Sequence, residues 1–236
     1  MDGALGMGTT ERMVAIVGRL GVRPMVRLSL PARRILAFLA LSGGGPVPRA
    51  IASAKLWPDF PEEAARANLR RALWNVPAGW IGSEGDDLLL NAATDLADAE
   101  LAATRALEEA ELQLDEIKLL SSDLLEGWNE EWAIPAQDRF RLLRVQALEM
   151  ACRTMTRAGH LTLAIQAGSA ALAAEPLRES AAAALIDAHL AQENRYEAVR
   201  CFRSLARRLN DELGVDPQPA LAERVMACAI PVGCLH

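Results

Sequence analysis

The first residues with a regular pattern form two short runs in which hydrophobic and polar positions partly alternate. The runs cover residues 13–20 and 22–30, both contain β-branched residues, and Gly21 separates them. A period of two residues, interrupted by a glycine, predicts two β-strands. Hydrophobic positions then recur with a helical period in three stretches, each opened by a proline, which is favoured as the first helical residue. The stretches predict helices at 32–42, 49–57 and 62–76, opened by Pro31, Pro48 and Pro61.

A β-hairpin is predicted directly after the third helix. Pro77 ends that helix, because proline cannot continue the helical hydrogen bonding. Two short apolar runs follow at 80–83 and 88–91, and the polar sequence Glu84-Gly85-Asp86-Asp87 joins them as a turn. Two strands, three helices and a hairpin in this order predict a winged helix, a fold whose third helix enters the major groove of DNA.

The third predicted helix has one apolar and one polar face when its residues are spaced by about 100°. The apolar face, which we assign to the core, carries Ala65, Leu69, Ala72, Leu73 and Val76. The opposite face carries Ala64, Ala67, Arg70, Arg71 and Trp74, and Arg66 and Asn68 flank it. Guanidinium groups can fork onto guanine edges or phosphates, and small alanines permit close approach. We predict that DNA is bound by Arg66, Asn68, Arg70, Arg71 and Trp74; an ordinary solvated helix surface is the alternative.

The second half of the chain consists of helical patterns and begins with a strongly acidic stretch. Residues 94–138 contain 13 acidic residues, whereas Arg105 and Lys118 are the only basic ones. The apolar spacing at its start predicts a helix followed by a loop, and a long amphipathic helix is predicted at 135–158. The carboxylates have the spacing of a solvated surface and no histidine is close in sequence, so acid–base catalysis and metal binding are not favoured.

Small and apolar residues in the last third of the chain repeat with the spacing of a tetratricopeptide repeat. The first set is Ala164, Gly168, Ala171 and Pro176, and Ala198, Phe202 and Leu205 form a second set that begins 34 residues after Ala164. This period predicts stacked helical hairpins, with a plain α-helical bundle as the alternative. His160 and His189 lie in this region without any partner pattern, so we interpret them as surface or hydrogen-bonded histidines.

Charge changes sign between the two halves. Residues 1–91 contain 11 basic and 8 acidic residues, whereas the remaining residues contain 14 and 23. Between Arg12 and Ser83 the balance is 11 basic to 3 acidic residues. A basic winged helix followed by an acidic helical region favours DNA binding combined with protein binding.

Other patterns argue against several classes of protein. The four cysteines lack the paired spacing of a zinc site and are interpreted as free thiols in a reducing cytoplasm. The longest apolar run, 35–41, is too short to cross a membrane, and the first residues do not resemble a secretory signal. No phosphate-binding GxxxxGKS loop occurs, and no nucleophile, base and orienting group can be assembled. We therefore expect no enzymatic activity and no cofactor.

Several segments closely resemble a known family, and together they cover nearly the whole chain. LLEGWNEEW (124–132), RFRLLRVQALEMA (139–151), EPLRESAAAALIDAHLAQENRYEAVRCF (175–202) and LNDELGVDPQPAL (209–221) resemble the bacterial transcriptional activator domain. LSLPARRILAFLAL (28–41) and AARANLRRALW (64–74) resemble the response-regulator-type winged helix that precedes it in the Streptomyces antibiotic regulatory protein family. One departure is that Asn75, Val76 and Pro77 follow Trp74, where many members continue with an Arg-Leu-Arg type segment.

The resemblance implies a mainly α protein, with a winged helix followed by an all-α tetratricopeptide-like domain. The expected divisions are a flexible leader at 1–11, the winged helix at 12–92, the activator domain at 93–230 and a tail at 231–236. It implies a cytoplasmic regulator, usually an activator, that binds repeats upstream of a promoter. Its expected partners are double-stranded DNA, RNA polymerase holoenzyme and, for a homodimer, a second copy. The alternative is a protein-interaction adaptor with weak or lost DNA binding.

Overall fold

The structure, a computed structural model, describes the backbone of residues 12–229 and the side chains of residues 12–227. The predicted leader at 1–11 and tail at 231–236 lie outside the described residues. The elements in chain order are β1 (Met13–Ala15), β2 (Gly21–Arg23), α1 (Leu30–Ala40), β3 (Val47–Pro48), α2 (Arg49–Leu56), α3 (Glu62–Trp74), β4 (Ile81–Glu84), β5 (Asp87–Leu90), β6 (Ala93–Thr94), α4 (Asp95–Leu107), α5 (Leu114–Leu120), α6 (Ile134–Ala158), α7 (Leu161–Ala174), α8 (Glu179–Ala191), α9 (Arg195–Leu213) and α10 (Pro219–Ala229).

The chain forms two compact units. The first unit comprises the chain up to Asp98 together with Asp123–Asp138, and the second comprises Ala99–Ser122 together with the chain from Arg139 onward. The division into compact units differs from the predicted domain boundary at 92/93, because residues 123–138 pack with the first unit. That the boundary separates a DNA-binding domain from an activator domain stays a prediction.

Two three-stranded sheets lie in the first unit. In one, β1 pairs antiparallel with β2 and parallel with β6; in the other, β5 lies between β3 and β4. The predicted second strand at 22–30 was too long. It ends at Arg23, since Pro24 has no backbone N–H to continue the ladder. Strands β3 and β6 were not predicted, because two residues are too few to show an alternating pattern.

Both hairpin strands have the predicted length but lie one residue closer to the turn, at 81–84 and 87–90 instead of 80–83 and 88–91. Glu84 and Asp87 are paired, so the turn consists of Gly85 and Asp86 only. Gly85 has a φ of 59°, a left-handed conformation that glycine adopts without steric cost. Its position thus explains why a tight turn forms at this point.

Helices α1, α2 and α3 pack around the apolar core of the first unit, and their predicted starts need small corrections. Pro31 is the second residue of α1, after Ser29 has capped the helix by accepting a hydrogen bond from Ala32 N (3.4 Å). Pro48 and Pro61 are the residues immediately before α2 and α3. The core includes the fully buried side chains of Ile35, Leu39, Leu56, Leu69 and Leu88.

The described residues of the second unit are all α. The acidic stretch predicted as one helix and a loop contains two helices, α4 and α5, and the predicted long helix is α6. Further along, α7 packs on α8 and α8 packs on α9, so successive helices stack as the repeat predicts. The small or apolar repeat positions Ala164, Ala171, Ala198 and Leu205 are buried. The mainly α fold and the helical repeat are confirmed. None of the helices within residues 12–229 is long and apolar enough to cross a membrane.

Gly168 marks the closest approach between helices in the second unit. A Cβ atom added at this position would lie 2.9 Å from Cys152 Sγ on α6 and 3.1 Å from Leu185 Cβ on α8. Both distances are shorter than ordinary carbon contacts, which are about 3.5 to 4.0 Å. The repeat therefore requires glycine here for packing.

Candidate nucleic-acid interface

Helix α3 is held in place by its apolar face. Ala65, Leu69 and Ala72 are each 2% exposed, and Leu73 is half-buried against the same core. Because these residues recur every three or four positions, they turn one side of α3 inward. The opposite side is consequently presented to solvent.

The predicted DNA-binding residues lie on this outer side. Arg66, Arg70, Arg71 and Trp74 are exposed and Asn68 is half-buried. Trp74 is 86% exposed, which is unusual for a large aromatic side chain without a partner. The structure therefore brings the five residues onto one accessible helix surface.

Two of the arginines on α3 already have partners on the same helix. Arg66 Nη2 lies 2.7 Å from Glu62 Oε1, and Arg71 Nη2 donates a hydrogen bond to Asn68 Oδ1. Both contacts are exposed, and exposed ion pairs contribute only about 0 to 1 kcal/mol. Arg70 has no ion pair with any described residue. Arg70 is thus the free cation of the set, and Arg66 and Arg71 can exchange weak partners for a phosphate at little cost.

Arg49, the first residue of α2, is a basic residue of this unit that the sequence analysis did not single out. Its Nη2 donates to Ser83 Oγ (2.7 Å) and its backbone N–H donates to Asp86 O (3.1 Å). Arg49 therefore ties α2 to the hairpin, whose exposed tip carries Glu84 and Asp86. The only sequence signal was a basic residue directly after Pro48.

The segment 123–130, which contains most of the LLEGWNEEW motif, packs against the first strand region. Leu125 N donates to Ile16 O (2.7 Å), Gly18 N to Asp123 O (2.6 Å) and Glu126 N to Gly18 O (2.8 Å). Gln137 Nε2 holds the segment from the other side by donating to the carbonyl oxygen of Leu124 (3.0 Å). Backbone pairing of this kind needs no special side chain, so the sequence carried no signal for it.

Arg34 on α1 fastens the same segment to the helices. Its Nη2 donates to Leu56 O (2.7 Å) and to Glu130 Oε2 (2.8 Å), and its guanidinium lies 5.9 Å from the ring centroid of Trp57. Glu130 also accepts a hydrogen bond from Trp132 Nε1 (3.1 Å). The network is only partly exposed, which makes its charge-assisted bonds stronger than surface ones.

We expect Arg34→Lys to lower the free energy of unfolding by about 1 to 2 kcal/mol, because the shorter lysine side chain does not carry its ammonium group to the position from which Nη2 donates to both oxygens. Urea unfolding followed by tryptophan fluorescence would measure the change. Arg33→Lys, at a neighbouring position without these hydrogen bonds, is the control. Equal stability of both variants would contradict a stabilising role for the Arg34 network.

Asp95, the first residue of α4, binds two backbone N–H groups of the N-terminal strand region. Its Oδ1 accepts from Ile16 N (2.7 Å) and from Val17 N (3.2 Å). Burial raises the pKa of Asp95, and the backbone hydrogen bonds partly oppose that rise. The carboxylate satisfies donors that would otherwise be left without partners, so its role is structural.

The charged residues of the EPLRES motif hold helices of the second unit together. Glu149 on α6 is buried and accepts hydrogen bonds from Arg178 Nε (2.6 Å) and Ser180 Oγ (2.8 Å). Arg153 Nη2 lies 2.6 Å from the other Glu149 oxygen, and Arg141 pairs with Glu175. A buried carboxylate needs such partners. The charged residues of the motif therefore stabilise the packing of these helices and do not form an exposed binding surface.

His189 on α8 is buried, and its Nδ1 has no hydrogen-bond partner among the described residues. Burial lowers the pKa of His189; nearby Glu197 acts to raise it and Arg200 to lower it further.

Burial raises the thiol pKa of Cys152 to about 12 and of Cys201 to about 11. Both thiols are free and protonated at neutral pH. The described residues include no group of three or more His, Cys, Asp or Glu side chains arranged to hold a metal ion.

We expect His189 to make stability fall as the solution is acidified. Its folded-state pKa lies below the unfolded value of 6.5, so the unfolded chain takes up the proton more readily. Stability should be fully present above about pH 6.5 and decline as the pH falls toward the lower folded-state value. Urea unfolding of the protein and of His189→Gln at pH 7.5 and 5.5 would measure the difference. An unchanged pH dependence in the variant would contradict this role.

Comparison with known proteins agrees with these features. A family profile described as the bacterial transcriptional activator domain matches residues 86–227, which is more than half of the chain. The solved structure of Mycobacterium tuberculosis EmbR in complex with a low affinity phosphopeptide has the same fold, with a TM-score of 0.64 and 22% sequence identity. The match covers 94% of this chain and 66% of that chain, so this chain spans somewhat less than two thirds of its length. No curated protein matches the chain significantly.

The activator-domain match includes the four segments that resemble the activator domain in the sequence, and the fold has a winged helix before them in the chain, as the resemblance implies. This family consists of transcriptional regulators and is not a class of enzymes. The chain therefore belongs to the bacterial transcriptional activator domain family and is a transcriptional regulator of the Streptomyces antibiotic regulatory protein type.

Proposed function

We propose that the protein is a cytoplasmic DNA-binding activator. In this proposal, α3 enters the major groove at repeats upstream of a promoter, and the helical unit contacts RNA polymerase holoenzyme or a second copy of the chain. The observation that carries the proposal is the outer face of α3, where Arg70 and Trp74 are exposed and without an ion pair or ring partner in the described chain.

The surroundings of α3 support this role. Residues 12–83 contain 11 basic and 3 acidic residues, and local positive charge favours contact with phosphates. Helix α3 has 13 residues and is thus about 20 Å long, long enough to follow the major groove. It ends at Trp74 because the sequence Asn75-Val76-Pro77 does not continue it, so base contacts should come from 66–74.

The second candidate function is a protein-interaction adaptor with little affinity for DNA. The acidic hairpin tip favours it, since Glu84 and Asp86 would repel a nearby phosphate. The pairing of Arg66 with Glu62 also reduces the net charge on α3. The two functions differ in whether Arg70 and Arg71 are needed for binding DNA.

Selection of genomic DNA fragments by the purified protein at near-physiological salt tests the proposal. The Arg70→Ala/Arg71→Ala variant, with its fold checked by circular dichroism, serves as the comparison. Enrichment of a repeated motif by the wild-type protein, and its loss in the variant, would support a sequence-reading regulator. Absence of enrichment with the wild-type protein would favour the adaptor.

We expect removal of the acidic charge at the hairpin tip to strengthen DNA binding. The variant Glu84→Gln/Asp86→Asn removes two exposed carboxylates, and exposed charges each contribute less than about 1 kcal/mol, so the gain should be about threefold. Fluorescence anisotropy with the selected DNA would measure it. Glu108→Gln/Glu109→Gln, in the second unit, is the control. A gain of the same size in the control would indicate a general charge effect.

A further inference from the structure

A groove formed by α7, α8 and α9 lies within the second unit. Its lining residues are far along the sequence from the residues that are proposed to bind DNA. Its volume is about 760 Å³. Ile165, Leu172 and Val199 contribute partly exposed apolar surface, whereas Arg200, Arg203 and Arg207 contribute positive charge. The groove therefore combines a hydrophobic lining with a basic rim.

The basic rim follows one stripe of α9. Tyr196, Arg200, Arg203 and Arg207 are separated by four, three and four residues, which places them on a single helix face. All four are exposed, and Tyr196 is 73% exposed. The stripe is about 16 Å long at the rise of an α-helix. A polar aromatic ring and three guanidiniums thus line one side of the groove.

The arginines of this stripe differ from several others in the same unit. Arg224 pairs with Asp187 (2.7 Å) and Arg157 with Glu109 (3.0 Å), in both cases with an acidic residue far away in sequence. By contrast, Arg203 and Arg207 have no ion pair with a described residue, and Arg200 pairs only with Glu197 on its own helix (3.1 Å). Unbalanced charge at a concave apolar surface attracts an anionic partner.

The apolar lining of the groove, to which the half-buried Cys201 also contributes, indicates what kind of anion fits. His189 lines the groove as well, and its buried Nδ1 has no hydrogen-bond partner among the described residues. A DNA backbone presents phosphates but no apolar side chains to cover Ile165 and Leu172. A peptide presents both, since alternate side chains of an extended segment point in opposite directions.

We infer that this groove binds an acidic peptide segment of a protein partner, with carboxylates on Arg200, Arg203 and Arg207 and apolar side chains on the floor that contains Ile165 and Leu172. The inference rests on the proposed function, in which the helical unit contacts the transcription machinery. It adds the chemistry of that contact. Tyr196 adds an aromatic surface and a hydroxyl at one end of the stripe, features common at peptide interfaces.

Fluorescence anisotropy of the full chain with a labelled synthetic peptide tests the inference. A peptide of about eight residues in which glutamate alternates with leucine spans roughly 26 Å when extended, enough to follow the stripe. The comparison peptide has lysine in place of glutamate. The protein variants are Arg203→Glu/Arg207→Glu and a control, Arg139→Glu/Arg195→Glu, which reverses two exposed charges of the same unit outside the groove lining.

We expect the wild-type protein to prefer the acidic peptide, and Arg203→Glu/Arg207→Glu to weaken its binding by about tenfold or more, because two attractive pairs become repulsive. The control variant should bind the peptide like the wild-type protein. No preference for the acidic peptide, or an equal loss in the control, would overturn the inference. Displacement of the peptide by unrelated duplex DNA at equal charge concentration would also overturn it and assign the groove to DNA.

The DNA-binding proposal is separated from this inference by the Arg70→Ala/Arg71→Ala variant. That variant should lose DNA binding and keep peptide binding, whereas Arg203→Glu/Arg207→Glu should show the reverse. Failure of peptide binding with intact DNA binding would remove only the groove inference, and failure of DNA binding with intact peptide binding would remove only the DNA-binding proposal.

Discussion

Arg70→Ala/Arg71→Ala is expected to weaken specific DNA binding by about 2 to 4 kcal/mol, because each arginine that reads a base contributes about 1 to 3 kcal/mol of discrimination. Arg70 should account for most of the loss if it reads a base, since it is exposed and has no ion pair with any described residue, whereas Arg71 already donates to Asn68. Anisotropy titrations with the selected DNA fragment, using both single variants and the double variant, would measure each share.

The salt dependence of binding shows which contact each arginine makes. An arginine on a phosphate should reduce the slope of log K against log salt by about one when it is removed, with equal losses on specific and random DNA. An arginine on a base should reduce the preference for the specific sequence. The control is Arg139→Ala/Arg195→Ala, two exposed arginines of the second unit. Unchanged affinity and slope in the Arg70 and Arg71 variants would show that α3 is not the DNA-reading helix.

Gly168→Ala is expected to lower the free energy of unfolding by about 1 to 3 kcal/mol, the usual range for overpacking a well-packed core. Alanine is normally the better residue within a helix, by about 1 kcal/mol. A loss would therefore show that the close contacts with Cys152 (2.9 Å) and Leu185 (3.1 Å) outweigh this preference. Urea unfolding followed by circular dichroism would measure the change.

A double-mutant cycle with Cys152→Ala identifies the contact responsible. Removal of the sulfur opens space beside residue 168, so the combined variant should be more stable than the sum of the single losses predicts. Ser169→Ala, at the exposed neighbouring position, is the control and should be neutral or slightly stabilising. Full additivity of Gly168→Ala and Cys152→Ala would contradict the packing explanation.

The predictable parts of the fold are those with a repeated local pattern. The apolar face of α3 and the buried positions of α7 and α9 repeat every three or four residues, so periodicity identified them. The hairpin was predicted because two short apolar runs flank a polar segment in which a glycine lies between acidic residues. By contrast, β3 and β6 have two residues each, and their pairing with distant strands leaves no local pattern.

The same distinction applies to the sites. The exposed arginines of α3 could be predicted because exposure follows from the helix face, but their pairing with Glu62 and Asn68 depends on side-chain conformation. The spacing of the stripe on α9 predicts that its residues share one helix face. Whether that face borders a groove depends on α7 and α8, which form the other walls. The role of Arg34 depends on Leu56 and Glu130, which are far from it in sequence.

The sequence by itself determined the mainly α fold class, the helical repeat, the three N-terminal helices with the hairpin after them, and the family, because each leaves a periodic or motif-like trace along the chain. The tertiary structure alone decided that 123–138 pack with the first unit, that glycine at 168 is required, and that the arginines of α9 border an apolar groove. Those features arise from contacts between residues distant in sequence, whose formation depends on the packing of whole helices rather than on any local preference.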